Sequence, residues 1–224
     1  QTVTVSLNGK DYTTTVSADG SWTLNVPAAD LAGLTDGSVT VTASVSDKAG
    51  NPASVDHNLA VDITAPAVTI NTVAGDDVIN IAEHGQAQII SGTATGAAAG
   101  DKVTVTIGGQ TYTTVLDAAG NWSVGVPASV ISGLSDGTVT VTASVTDAAG
   151  NTGTGTHNVT VDTGLPSVAF NAISDDNVLN AVEKGQDLSV SGTSANLAEG
   201  TVVTVILNGK NYTATTAADG TWSL

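Results

Sequence analysis

Residues 39–45 read Val-Thr-Val-Thr-Ala-Ser-Val, apolar and polar in strict alternation, and residues 139–145 repeat the run letter for letter. A period of two built from β-branched residues marks a strand with one face buried. Residues 67–73, 102–107, 158–161 and 187–191 carry the same signal. Between such runs lie Asn8-Gly9, Asp19-Gly20, Asp36-Gly37, Asp136-Gly137 and Asp219-Gly220. Asn-Gly and Asp-Gly accept the positive φ of tight turns, so these pairs predict reversals between strands. Residues 28–34 and 128–134 predict a single helical turn each, too short to change the class. The pattern is all-β.

The pattern also repeats. Trp22, Trp122 and Trp222 are separated by 100 residues each time, and so are Tyr12, Tyr112 and Tyr212. The same step joins Pro27 to Pro127, Asp36 to Asp136, Asp47 to Asp147, Asp62 to Asp162 and Glu83 to Glu183, without insertion or deletion. A period that long exceeds a solenoid unit and suits a domain that folds alone. With about seven short strands per copy, it predicts tandem immunoglobulin-like β-sandwich domains of about 100 residues. The breaks fall at the link Val61-Asp62-Ile63-Thr64-Ala65-Pro66 and at Val161-Asp162-Thr163-Gly164-Leu165-Pro166. Proline holds its predecessor extended, which makes each link stiff. On that phasing residues 1–64 are the back part of one copy, 65–164 a complete copy and 165–224 the front part of the next. The chain then reads as a window on a longer array.

Composition narrows the function. Of 224 residues, 21 are Asp or Glu and 5 are Lys, with no Arg, for a formal net charge of −16. Nucleic-acid binding needs Lys/Arg clusters that release counterions, so it is excluded, as is attachment to an anionic membrane surface. No apolar run reaches the length of a membrane helix. Without Cys there is no disulfide, no thiolate zinc site and no cysteine nucleophile. The sequence holds no H-E-x-x-H and no phosphate-cradling glycine loop. Of the histidines, only His57 and His157 repeat; His84 is matched by Lys184. The expectation is that the protein is not an enzyme. The repeated Trp, two residues after a turn glycine, reads as a core anchor in domains with few large side chains. A sugar-stacking role is the alternative. The tyrosines read as sheet-edge residues with wet hydroxyls.

Asp supplies 18 of the 21 acidic residues. Three repeated elements carry most of the candidate chemistry. One is Asp47-Lys48-Ala49-Gly50-Asn51, repeated as Asp147-Ala148-Ala149-Gly150-Asn151; the second is the link Asp62 or Asp162. The third is Asp76-Asp77-Val78-Ile79-Asn80-Ile81-Ala82-Glu83, repeated as Asp176-Asn177-Val178-Leu179-Asn180-Ala181-Val182-Glu183. If the loop before the last strand lies beside the outgoing link, the first junction gathers Asp47, Asp62, Asp76, Asp77 and Glu83. The second gathers Asp147, Asp162, Asp175, Asp176 and Glu183. Two carboxylates 4 Å apart repel by about 4 kcal/mol at an effective dielectric near 20, so such a cluster calls for a cation. Oxygen donors without Cys or His select a hard one, and calcium suits an extracellular site of weak affinity. No segment matches an EF-hand loop, and Asp and Asn also serve as plain turn formers. Asp36 and Asp136, in Asp-Gly turns without a second acidic element, read as turn residues.

The V-D-x-x-x-P link, the D-x-A-G-N loop, the D-[DN]-V-[IL]-N-x-x-E segment and the S-G-T of residues 91–93 and 191–193 together resemble the bacterial Ig-like repeats of very large, type I-secreted surface adhesins. The resemblance covers the whole chain. It implies calcium at the domain junctions of a long rod, with ligand roles for Asp47, Asp62, Asp76, Asp77, Asn80 and Glu83. It implies the same for Asp147, Asp162, Asp176, Asn177, Asn180 and Glu183. One departure is that Asp77 is matched by Asn177 while Gly75 is matched by Asp175, so the acidic pair has slid by one residue. The implied setting is the bacterial cell surface, with neighbouring repeats as partners in the chain. Contact with a host cell or biofilm falls to other parts of the full-length protein. The expected function is a calcium-rigidified extender; the alternative is a module in which every repeat carries a glycan or receptor site and gains avidity from repetition.

Overall fold

The computed structural model describes all 224 residues, the side chain of Asp175 excepted. In the first repeat the strands are β1 (Thr2–Leu7), β2 (Lys10–Thr15), β3 (Gly37–Ser46) and β4 (Pro52–Val61). The middle repeat carries β5 (Ala67–Ile70), β6 (Val78–Asn80), β7 (Gln88–Thr95), β8 (Lys102–Ile107), β9 (Gln110–Val115), β10 (Asn121–Val126), β11 (Gly137–Thr146) and β12 (Thr152–Asp162). The third carries β13 (Ser167–Phe170), β14 (Ser191–Ala195), β15 (Val202–Leu207), β16 (Lys210–Thr215) and β17 (Thr221–Ser223). Helix is limited to single turns: α1 (Ala28–Leu31), α2 (Ile81–His84), α3 (Ala128–Ile131) and α4 (Ser174–Asn177), with a 3₁₀ turn at Glu183–Gly185. The chain is all-β, as its alternation predicts.

The residues fall into two compact units, 1–73 with 88–126 and 139–158, and 74–87 with 127–138 and 159–224. In the first unit, β2-β1-β3-β4 form one antiparallel sheet, in which Val5 lies opposite both Tyr12 and Ala43. A second sheet has the order β10-β7-β5. Here β7 sets Gly92 opposite Trp122 and Ile70. The hairpin β8–β9 pairs through β8 with β11, Val103 opposite Val145. Along β8 and β11 the apolar residues Val103, Val105, Ile107, Val141, Ala143 and Val145 are buried, while the threonines between them are not. Each fully buried aliphatic side chain contributes about 1.5–3 kcal/mol, which is why the alternation fixes the register.

In the second unit, β6 runs parallel to the end of β12, with Val78 opposite Thr160 and Asn80 opposite Asp162. The Thr160 N–H also donates to the Asp77 carbonyl at 2.8 Å. Ile79, Ile131, Val159 and Val161 are buried there. The third repeat contributes the sheet β13-β14-β17 and the hairpin β15–β16.

Two strand expectations shrink. The run 67–73 is a strand only over Ala67–Ile70. The run 187–191 enters a strand only at Ser191, although Val190 and Leu224 still exchange backbone bonds at 2.9 and 2.8 Å. Trp122 and Trp222 are core residues, each 3% exposed, whereas Trp22 is 41% exposed. Tyr12, Tyr112 and Tyr212 lie on β2, β9 and β16, which are edge strands. The Tyr12 hydroxyl donates to Asp30 Oδ2 at 2.9 Å, and Lys10 completes an ion pair with the same carboxylate.

Two glycines of β12 answer a steric demand. Gly153 and Gly155 lie beside the chain leading into β5. A Cβ on Gly153 would stand 1.7 Å from the Pro66 carbonyl oxygen, and one on Gly155 would stand 2.4 Å from that of Val68. Only glycine lets the two backbones approach this closely. The first repeat has Ala53 and Val55 at these positions, and Val55 is 67% exposed.

Candidate functional site

The link after the first repeat is held from two sides. On one side Asp36 accepts the Ile63 N–H at 2.7 Å and the Thr64 hydroxyl. Asp62 Oδ1 accepts the Thr64 N–H at 3.3 Å, a local turn that stiffens the same stretch. On the other side stands the loop 147–151 of the next repeat. Asn151 donates from Nδ2 to the Asp62 carbonyl at 3.2 Å, to Asp62 Oδ1 at 3.3 Å and to Asp147 Oδ2 at 3.1 Å. One amide thus ties two carboxylates together. The loop presents that amide because Asp147 Oδ1 accepts the N–H groups of Ala149 and Asn151 at 3.0 and 2.8 Å, and Gly150 closes the turn at φ 97°. The first repeat has the same loop, but Asn51 Nδ2 reaches Asp47 Oδ2 alone, at 2.8 Å.

This grouping corrects the one expected. Asp47 and Asp62 do not share a junction: loop 47–51 precedes β4 and Asp62 follows it, ten residues on. At 3.3 Å per residue they stand about 30 Å apart. The loop before the last strand therefore faces the incoming link of its repeat, and Asp147 meets Asp62 in place of Asp47. The acidic segment 76–83 is also placed differently. Its strand β6 sets Asn80 opposite Asp162, so it accompanies the outgoing link of its own repeat.

At that second link Asp136 Oδ1 accepts the Thr163 N–H at 3.0 Å and its hydroxyl at 2.7 Å. Asp162 Oδ1 accepts the Gly164 N–H at 3.0 Å, and Asn196 donates to the Leu165 carbonyl at 2.9 Å. His84 Nε2 and the Leu134 carbonyl oxygen lie 2.9 Å apart. The clamps Asp36 and Asp136 were legible only as turn formers. The signal available for them was their exact repetition together with the link.

The remaining candidates have local work. Asp76 Oδ1 accepts the Val78 N–H at 3.0 Å, and Asp176 Oδ1 that of Val178 at 2.8 Å. Asn80 caps α2 by accepting from Ala82 and Glu83, while Glu83 Oε2 accepts the Asn80 N–H at 3.1 Å. Asn180 and Glu183 repeat this reciprocal capping box, a motif readable from N-x-x-E. Asp77 and Asn177 both adopt φ 65°, and Asn177 Oδ1 accepts the Ile173 N–H at 2.9 Å. The Asp175 side chain lies outside the described residues. Among the described residues no three Asp, Glu, His or Cys side chains converge as a metal-holding group. At the first link the carboxylates of Asp62 and Asp147 are oxygen ligands of the kind a hard cation takes, and they are bridged by the Nδ2 of Asn151.

Hydrogen bonding sets the carboxyl acidities. The Thr64 hydroxyl and the Ile63 N–H hold Asp36 below the usual carboxylate range, and the Thr163 hydroxyl and N–H do the same for Asp136, with His84 adding attraction. Asn51 lowers Asp47 through its side-chain amide and its N–H. For Asp147 burial pushes upward, but the Asn151 amide and three backbone N–H groups outweigh it and the carboxyl ends lower.

The family model for the bacterial Ig-like domain matches residues 1–64 and 64–163. The chain belongs to the bacterial Ig-like domain family. Among solved structures of such repeats, one from a study of host cell surface retention of a 1.5-MDa bacterial ice-binding adhesin is 36% identical, over 99% of this chain and 73% of that one, with a TM-score of 0.49. A Ca2+-stabilized adhesin with which an Antarctic bacterium binds ice is 43% identical over 99% of this chain and 55% of that one, with a TM-score of 0.47. A tetra-tandem repeat from the extending region of a large adhesion protein is 31% identical over 100% of this chain and 57% of that one, with a TM-score of 0.40. No curated protein matches the chain. Among the described residues no helix is long and apolar enough to cross a membrane.

Proposed function

We propose that these Ig-like repeats are the extender region of a bacterial cell-surface adhesin, a non-catalytic rod whose links calcium stiffens and which projects an adhesive tip towards a host cell or biofilm. The observation that carries this reading is the Asn151 amide bonded to both Asp62 and Asp147, because it couples a link to the repeat that follows. A link tied to its successor transmits orientation along an array, which is what an extender needs. The reading takes 1–64, 65–164 and 165–224 as successive repeats and places the protein outside the cell after type I secretion. Support comes from the family membership and from relatives described as an ice-binding adhesin, a Ca2+-stabilized adhesin and an extending region.

Calcium is assigned to the first link, with Asp62 and Asp147 as its anionic ligands. It would neutralise two carboxylates that now share a single amide donor. Asp76, Asp77, Asn80 and Glu83 keep their turn and capping roles, on the segment whose strand β6 sets Asn80 opposite Asp162. The counterparts Asp176, Asn177, Asn180 and Glu183 keep the same turn and capping roles in the third repeat.

The test is small-angle scattering of the chain during calcium titration after chelation, with magnesium as control. Calcium at about 0.1–1 mM should change the maximum dimension and reduce flexibility, and magnesium should not. Asp62→Ala with Asp147→Ala should abolish the response. A chain that ignores calcium would leave these aspartates as turn formers, with the Asn151 amide tying the link to the repeat that follows.

A further inference from the structure

Beside the paired residues Gly92 and Trp122 a groove of about 410 Å3 opens, with Asn71, Ser91, Asn121 and Ser123 along it. The third repeat forms the same groove, about 400 Å3, over Gly192 and Trp222, with Asn171, Ser191, Thr221 and Ser223. The glycines are obligatory. A Cβ on Gly92 would stand 2.0 Å from the Thr69 carbonyl oxygen and 2.5 Å from the Trp122 ring; on Gly192 the values are 1.9 Å from the Ala169 oxygen and 2.4 Å from the Trp222 ring.

The floor is constant. Asn71 Nδ2 donates to Ser91 Oγ at 3.1 Å, and Asn171 Nδ2 to Ser191 Oγ at 3.0 Å. Each amide keeps an acceptor oxygen that bonds none of the described residues. The Trp122 indole N–H is buried without a hydrogen-bond partner among the described residues, and the Trp222 N–H reaches the Thr193 carbonyl only at 3.3 Å. The rim varies: Asp117 and Asn121 in one groove become Ala217 and Thr221 in the other. A fixed floor of amide and hydroxyl groups under a changing rim is the layout of a site that holds one ligand class and tunes its choice within it. Amides and hydroxyls, both donors and acceptors, match the hydroxyls of a sugar. No Lys lines either groove, and a chain of net charge −16 repels anions.

We propose that each groove binds one unit of a neutral saccharide, held by the Asn71 or Asn171 amide, so that the extender adds weak, repeated sugar contacts along its length. This goes beyond the spacer role and does not depend on it.

The experiment is an NMR titration of the calcium-loaded chain with glucose, galactose and N-acetylglucosamine, using glycerol as the control for unspecific polyol effects. At least one sugar should give saturable amide shifts at residues 71, 91 and 121–123 and at 171, 191 and 221–223. Asn71→Ala with Asn171→Ala should weaken binding about tenfold while leaving shifts elsewhere unchanged. Should that pair fail to fold, Ser123→Glu with Ser223→Glu, at exposed positions, fills the grooves and should abolish the shifts. Flat titrations with all three sugars, shifts that glycerol reproduces, or binding indifferent to both variant pairs would overturn the proposal. The scattering response to calcium is read separately, so failure here leaves the extender reading intact.

Discussion

Trp22 and Trp122 occupy the same place in two copies of one sequence, yet the first is 41% exposed and the second 3%. The difference lies in what stands opposite. Trp122 sits on β10, which pairs with β7 and lays the indole against Gly92. Residues 21–26 form no strand, and the first 64 residues contain no counterpart of β5 or β7. The sheet β2-β1-β3-β4 nevertheless forms in full, with Val3, Val5 and Leu7 buried. Local alternation and turn chemistry therefore suffice for the strands of a repeat, whereas burial of its tryptophan requires the second sheet.

The largest effect expected from this contrast is in the tryptophans themselves. Trp122→Ala should cost about 3–5 kcal/mol, measured by urea unfolding followed at the β7 and β10 amides. Trp22→Ala should stay within about 1 kcal/mol. Equal losses would show that both indoles are core residues in solution, and the comparison would fail.

A smaller effect separates β12 from β4. Gly153→Ala with Gly155→Val gives the middle repeat the first repeat's residues and forces backbone apart at Pro66 and Val68. About 1–3 kcal/mol should be lost, read as earlier urea unfolding of Trp122 fluorescence. The reverse pair, Ala53→Gly with Val55→Gly, meets no such oxygen and should change stability only through the weaker strand propensity of glycine, about 1 kcal/mol or less.

These residues also mark how far the sequence could be read. Period-two alternation located β3, β8 and β11 because one buried face imposes it. The tryptophan, turn and link positions followed from the repeat. The glycines of β12 could not be interpreted, since their role is an approach between strands 85 or more residues apart in the chain. The acidic elements were found, but not their company: Asp62 meets Asp147 because a ten-residue strand carries the chain to the far pole before each link. That is a property of topology, invisible in spacing. The Asn80–Glu83 capping box was readable and shows that a carboxylate near a link already has a backbone partner.

The smallest effect compares the two links. Asp36 and Asp136 are both more acidic folded than in an unfolded chain, where Asp titrates near about 3.9. Their stabilisation is therefore complete above that value and is lost as pH falls through the lower folded value. The Ile63 and Thr163 amide shifts should move together below about pH 4, and Asp36→Asn should remove the step at Ile63 alone. A step at one link only would show that Ile63-Thr64 and Thr163-Gly164 are held differently.

The parallel pairing of β6 with the end of β12 bears on tension. Asp162 is both the last residue of that pair and the first of the link, so a pull along the chain drags β12 lengthwise past β6. The bonds at residues 78–80, with the Thr160 N–H to Asp77, then carry the load side by side and must yield together, where a hairpin peeled from its end would give way one rung at a time. Each such repeat meets stretching in shear, at the point where force enters it.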